Sequence, residues 1–216
     1  GKTPYFHTAW AYSADGTDRF TTVYPNLNLL KGTRTPISIT GNNRSNQVAY
    51  IWFDNGKNIQ NQGLSDGDIL TCEFDWEVSN PTSGSFFIQL NGPHWNGGQK
   101  ISITSNNNRG HSKFNLEVYP GFLSGTATGL QLRADALPTS STITISNLIF
   151  TKGSVSTPWM PSASEVTTED YPKYIGQYTN YVQVDSPNPS DYTWSLIRGN
   201  DGKQGPQGER GPQGLQ

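Results

Sequence analysis

The chain has 216 residues, 15 Lys and Arg against 17 Asp and Glu, and only 32% hydrophobic residues. A net charge of -2 provides no clustered basic footprint for phosphate backbones, no apolar run approaches the roughly 18 residues needed to cross a bilayer, and no charged start followed by an apolar stretch resembles a signal peptide. Nucleic acid and membrane insertion are therefore excluded as expected partners, a soluble protein is expected, and the lone Cys72 rules out an internal disulfide or a cysteine metal cluster.

Low hydrophobicity with abundant Asn, Ser, Thr and Gly suits short strands and turns, so an all-β protein is expected. Residues 4–16, PYFHTAWAYSADG, read as an aromatic strand ending in a turn. From about 26 to 164, short alternating runs are separated by Gly, Asn and Pro clusters, the pattern of a sandwich. In VAYIWF the alternation leaves two choices: Tyr50 and Trp52 point outward, or Ile51 and Phe53 do. The outward placement of Tyr50 and Trp52 is preferred. At 69–78, strand period two puts Leu70, Cys72, Phe74, Trp76 and Val78 on a core face and Glu73, Asp75 and Glu77 on the other. Phe86, Ile88 and Leu90 follow as inward residues, opposite Phe87, Gln89 and Asn91. Phe114, Leu116 and Val118 alternate with Asn115, Glu117 and Tyr119, and Leu130 and Leu132 alternate with Gln131 and Arg133. Ile143 and Ile145 open a last strand running to about Phe150. About eight such strands suggest a jelly roll.

Residues 174–198 offer YIGQYTN and YTWSLIRG as further strands. Neither end of the chain buries much surface alone, because two or three strands need a partner face. The expected organisation is a small β module from 1–25 and 165–198, interrupted by a jelly-roll sandwich at 26–164. From Gly199, glycine recurs at 202, 205, 208, 211 and 214. Three polyproline-II chains wind together only when every third residue lacks a side chain, so 199–216 reads as a collagen-like Gly-X-Y stalk and implies a homotrimer. A flexible linker has no reason to keep that register. Triplets this few make a marginal triple helix, and the natural protein is expected to continue past Gln216.

The opening PYFHTAWAYSADGTDRF and the later YPKYIGQYTNYVQVDSPNPSDYTWSLIRGNDG resemble a module of tail-tip and receptor-binding proteins from siphophages of streptococci and lactococci. The block from NLNLLKGTR to ITISNLIFTKGSVSTPWMPSASE is similar at both ends to the galactose-binding-like carbohydrate-binding modules of such proteins, whereas roughly 40–140 matches by strand pattern alone. The resemblance implies a virion protein of the tail tip that works at the host cell surface. Its expected partners are host cell-wall polysaccharide and other phage tail proteins. The rival expectation is a structural spacer or decoration of the tail that binds no sugar.

Sugars are held by flat rings against their C–H faces and by amide, carboxylate or guanidinium groups at their hydroxyls. Aromatics beside such groups are the candidates: Trp52 and Tyr50; the loop NGPHWNGG with Asn91, His94 and Trp95; and the outward residues Phe87, Gln89, Tyr119, Gln131 and Arg133. For Trp95 a cap over one end of the core is the competing role. Trp159 is expected to cover the chain's exit from the sandwich, and Trp10 and Trp194 to pack the small module. Glu73, Asp75 and Glu77 stand about 7 Å apart along one face, within the carboxylate spacing of glycosidases. Those pairs, however, face each other across a substrate from different strands. No metalloprotease, nucleophile-elbow or phosphate-loop motif occurs, and a binding protein rather than an enzyme is expected. No cofactor is implied; the resemblance is compatible with a structural calcium, but no loop stands out as its site.

Overall fold

In a computed structural model, described over residues 1–198, the chain forms strands joined by turns and short 3-10 segments, with no α-helix among the described residues. The Gly-X-Y run at 199–216 lies outside the described residues. The chain divides into two compact units, one from residues 1–26 and 166 onward, the other from Leu27–Glu165.

The larger unit is an eight-stranded jelly roll. Its strands are β2 (Ile37–Thr40), β3 (Gln47–Trp52), β4 (Ile69–Ser79), β5 (Ser85–Leu90), β6 (Ile101–Ser102), β7 (Arg109–Glu117), β8 (Gly129–Asp135) and β9 (Thr142–Lys152). One sheet runs β2-β9-β4-β7 and the other β3-β8-β5-β6. The first strand of the sandwich pairs with the last, and successive strands alternate between sheets except for β5 and β6, which pair within one sheet. Alternation along β4 drives this arrangement. Leu70, Cys72, Phe74, Trp76 and Val78 are all buried between the sheets, where they meet Phe86, Ile88 and Leu90 of β5 and Leu130 and Leu132 of β8. The Trp76 ring packs edge-on against Phe86, centroids 5.1 Å apart. β7 is an edge strand and only its inner end is sealed: Leu116 is buried, whereas Phe114 is half-buried.

The unit's two ends run side by side. Asn28 bridges Ser162 in parallel, and its amide donates to the carbonyl of Leu148 at 2.7 Å while its Oδ1 accepts from the Phe150 N–H at 3.0 Å. A buried amide satisfied on both sides locks the entering segment to β9. Trp159 completes the closure, its indole N–H donating to Thr33 Oγ1 and the Leu148 carbonyl, each at 3.1 Å.

The smaller unit is a three-stranded antiparallel sheet in the order β1 (Tyr5–Ala11), β10 (Tyr174–Asn180), β11 (Thr193–Leu196). One face carries His7, Ala9 and Ala11 beside Gly176 and Trp194. Loop aromatics cover that face: Phe20 lies 6.0 Å and Tyr192 5.8 Å from the Trp194 ring. Trp194 fits because two glycines leave room. A Cβ at Gly16 would come within 2.1 Å of the indole, and one at Gly176 within 2.8 Å. Trp10 is buried against the edge of Tyr24, centroids 5.3 Å apart.

Candidate functional site

The outer face of the β3-β8-β5-β6 sheet carries most of the sequence candidates. In VAYIWF the buried residues are Ile51 and Phe53, which leaves Tyr50 and Trp52 projecting outward. Tyr50 is 50% and Trp52 53% exposed, and the two rings stack with centroids 5.1 Å apart and planes 21° from parallel. Residues two apart on a strand share a face, so the pair forms one continuous aromatic surface.

Strand register assembles the floor beside it. Tyr50 stands opposite Gln131, Gln131 opposite Gln89, and Gln89 opposite Gly97 of the loop that continues past β5. In the next row Val48 faces Arg133, which faces Phe87. In the row on the other side Trp52 faces Gly129, whose carbonyl accepts from the Asn91 N–H at 3.0 Å. Gly97 and Gly129 thus present no side chain at two positions of this surface. Neither can acquire one, since a Cβ on Gly97 would lie 2.5 Å from Gln89 and one on Gly129 2.1 Å from the Ile51 carbonyl. The result is a face with two glutamines at its centre and stacked aromatics on one side.

Gln89 and Gln131 are 6% and 4% exposed. Among the described residues neither amide has a hydrogen-bond partner, and neither belongs to the fully sealed polar atoms, which are Asn58 Oδ1 and Thr157 Oγ1. A glutamine amide offers two donors and two acceptor lone pairs. Neither set is used among the described residues, although both side chains are almost wholly covered.

The flanking candidates have partners already. Arg133 pairs with Asp135 through Nε at 3.2 Å and lies 5.6 Å from the Phe87 ring centroid. Partial burial pushes the Asp135 carboxyl up, but hydrogen bonds from the Asn46 N–H and Arg133 outweigh it and hold the group below the usual carboxylate value. Asn91 is spent on structure: its Oδ1 accepts from the Thr128 N–H at 2.8 Å and pins the turn entering β8. His94 Nε2 lies 3.1 Å from Ser124 Oγ. Trp95 is 52% exposed, with a left-handed backbone at φ 56 and its N–H bonded to the Gly92 carbonyl at 2.7 Å.

Tyr119 does not share this face. It lies just past β7, in the opposite sheet, and its hydroxyl donates to Asn96 Oδ1 at 3.3 Å, tethering the 91–98 loop. Sequence reasoning gave no sign of Gly97 and Gly129 as part of the site. Their signal is a glycine in a strand position, which marks close backbone approach.

The acidic face of β4 is a cross-strand ion-pair array in the other sheet. His111 of β7 sits between Asp75 at 2.7 Å and Glu73 at 2.6 Å, and Arg109 reaches Glu77 at 3.5 Å. The hydrogen bond to Asp75 is the largest of the influences that raise the His111 pKa above its ordinary value, and burial opposes them. Among the described residues no cluster of three or more His, Cys, Asp or Glu is arranged to hold a metal ion.

No family model matches this sequence, and no curated protein matches it. Among solved structures the chain is similar to the tripod (BppUct-A-L) from the baseplate of bacteriophage Tuc2009: 26% identity over 91% of this chain and 80% of that one, TM-score 0.67. Over nearly all its length, then, it shares both fold and recognisable sequence with a phage baseplate protein. Further matches are to a structure described as "CBM4 structure and function", at 7% identity over 55% of this chain and 82% of that one, TM-score 0.33, and to a xylan-binding domain of Paenibacillus barcinonensis Xyn10C, at 6% identity over 72% and 99%, TM-score 0.33. Neither score supports a conclusion about this chain.

Proposed function

We propose that this chain is a receptor-binding element of a phage tail tip and that the outer face of the β3-β8-β5-β6 sheet holds a host cell-wall polysaccharide. The observation that carries the reading is the stacked, half-exposed Tyr50–Trp52 surface beside the unpartnered amides of Gln89 and Gln131. Rings of this kind cover the C–H face of a pyranose, while recessed amides select its hydroxyls. Burying an amide stem and leaving its polar end unused costs stability with no return in the fold, which a binding role explains. Likeness to a phage baseplate protein supports the virion setting and an assembly with other tail proteins.

Binding, not hydrolysis, is the proposed activity. Glu73, Asp75 and Glu77, the carboxylates with suitable spacing, face His111 and Arg109 on the neighbouring strand, in the other sheet. Single-site affinity is expected to be weak. The Gly-X-Y sequence points to three linked copies, and linkage raises avidity by about 10² to 10⁴.

The test is calorimetric titration of the full chain with polysaccharide purified from host cell walls, alongside an assay for released reducing ends. Saturable binding without release is expected. No binding to any wall fraction would leave the chain a structural spacer, and release of reducing ends would make it a hydrolase.

A further inference from the structure

The ring stack and the two glutamines sit on a face whose side chains are almost all uncharged. Its two central rows, Tyr50–Gln131–Gln89–Gly97 and Trp52–Gly129–Asn91, carry rings, amides and bare backbone. In the row beside them the one formal charge is Arg133, opposite Val48 and Phe87. Its Nε lies 3.2 Å from Asp135 Oδ2 and its Nη2 3.2 Å from Asp135 Oδ1. That edge of the guanidinium is the fork that would otherwise match a carboxylate or a phosphate. Asp135 fills the fork and also cancels the charge, since hydrogen bonds from Asn46 and Arg133 hold it in its ionised form.

Asp135 itself stands one row further out, opposite Ser85. Exposed Lys100, just before β6, attracts the same carboxylate. Past Trp52 on the other side, Asp54 is turned to the hydroxyls of Ser162 and Ser164. An anion brought against the Tyr50–Trp52 stack would therefore shed water with only neutral amides to replace it. A charge desolvated without a counterion is costly, whereas a hydroxyl exchanges one hydrogen bond for another. Gln89 and Gln131 supply donors and acceptors of that neutral kind.

We infer that this face selects an uncharged polysaccharide, built of neutral hexose units, and discriminates against wall polymers whose repeat carries a phosphate or a carboxylate. The inference rests on the sugar-binding reading of the face and names the chemistry of its ligand. Recognition then depends little on salt, because screening weakens charge pairs and leaves ring contacts and neutral hydrogen bonds intact.

The experiment titrates the full chain calorimetrically with two fractions of host wall polysaccharide separated by anion exchange, one neutral and one bearing phosphate or carboxylate. The neutral fraction is expected to bind at least about tenfold more tightly. Its affinity should change by less than about twofold between low salt and about 0.5 M salt. Lys100→Gln should leave that affinity unchanged, and Trp52→Ala should weaken it about tenfold. A smaller preference for the neutral fraction, or binding that fades with salt or in Lys100→Gln, would overturn the selection for neutral sugar. If Trp52→Ala still weakens binding in that case, the sugar-binding reading stands without it. Binding of neither fraction, or binding indifferent to Trp52→Ala, would remove the reading itself.

Discussion

Replacing Trp52 with alanine separates recognition from folding, because the ring is half outside the protein. A tryptophan side chain presents about 250 Å², and at 53% exposure about 125 Å² of it meets water. A sugar lying on the outer face covers about half of that. At about 25 cal/mol per Å² the contact is worth roughly 1.5 kcal/mol, or about a tenfold change in Kd. The cost to the fold is confined to the stack with Tyr50, about 0.5–1.5 kcal/mol, so the melting temperature should fall by only a few degrees. Calorimetry with host wall polysaccharide and a thermal melt of the same sample measure the two quantities together. Trp52→Ala is expected to bind about tenfold more weakly and remain folded. Unchanged affinity in a folded variant would refute the assignment of this ring to the ligand.

Three further outcomes follow from the packing. Gly16→Ala forces a Cβ against the Trp194 indole at a φ of +81; steric overlap and left-handed strain together should cost about 2 kcal/mol or more, read as loss of the Trp194 near-UV signal at lower denaturant. Burial pushes the Cys72 thiol well above its ordinary range, so the native protein should not react with a thiol reagent that labels it promptly after unfolding. The third concerns pH. His111 titrates above its ordinary 6.5, held by carboxylates of which Asp75, despite partial burial that pushes it up, is kept below its ordinary 3.8 by Asn147 and His111. The clamp's contribution is thus complete below the unfolded histidine value, provided the carboxylates stay ionised, and is lost as pH rises through the raised folded value. Solvent screening limits it to about 1 kcal/mol or less. The stability difference between wild type and His111→Gln should therefore shrink as pH rises from 5.5 through the raised folded value, and a difference that grows would contradict the clamp.

The core was legible where apolar and polar residues alternate. Along β4, β5 and β8 a strict period of two marks the inward faces, and the structure buries those residues. The run VAYIWF could not be resolved in the same way, because every residue in it is apolar; only the burial of Ile51 and Phe53 fixes Tyr50 and Trp52 outside. Alternation also gave Gln89, Gln131 and Arg133 their common outward face. It carries no information about which sheet a strand joins, and here most consecutive strands, β6 and β7 among them, lie in different sheets. That is why Tyr119, outward by pattern, ends beside the opposite sheet as a tether for Asn96. The depth of the two glutamines also depends on the course of the 91–98 loop, which has no local sequence signature.

The central claim is that a saccharide lies across Gln89 and Gln131 beside the Tyr50–Trp52 stack. Titrating the isotope-labelled chain with host wall polysaccharide while following side-chain NH₂ resonances tests it directly. The Gln89 and Gln131 amides and the Trp52 indole should shift together and saturate at one concentration. Shifts confined to the β2-β9-β4-β7 sheet, or none at saturating polysaccharide, would contradict the account.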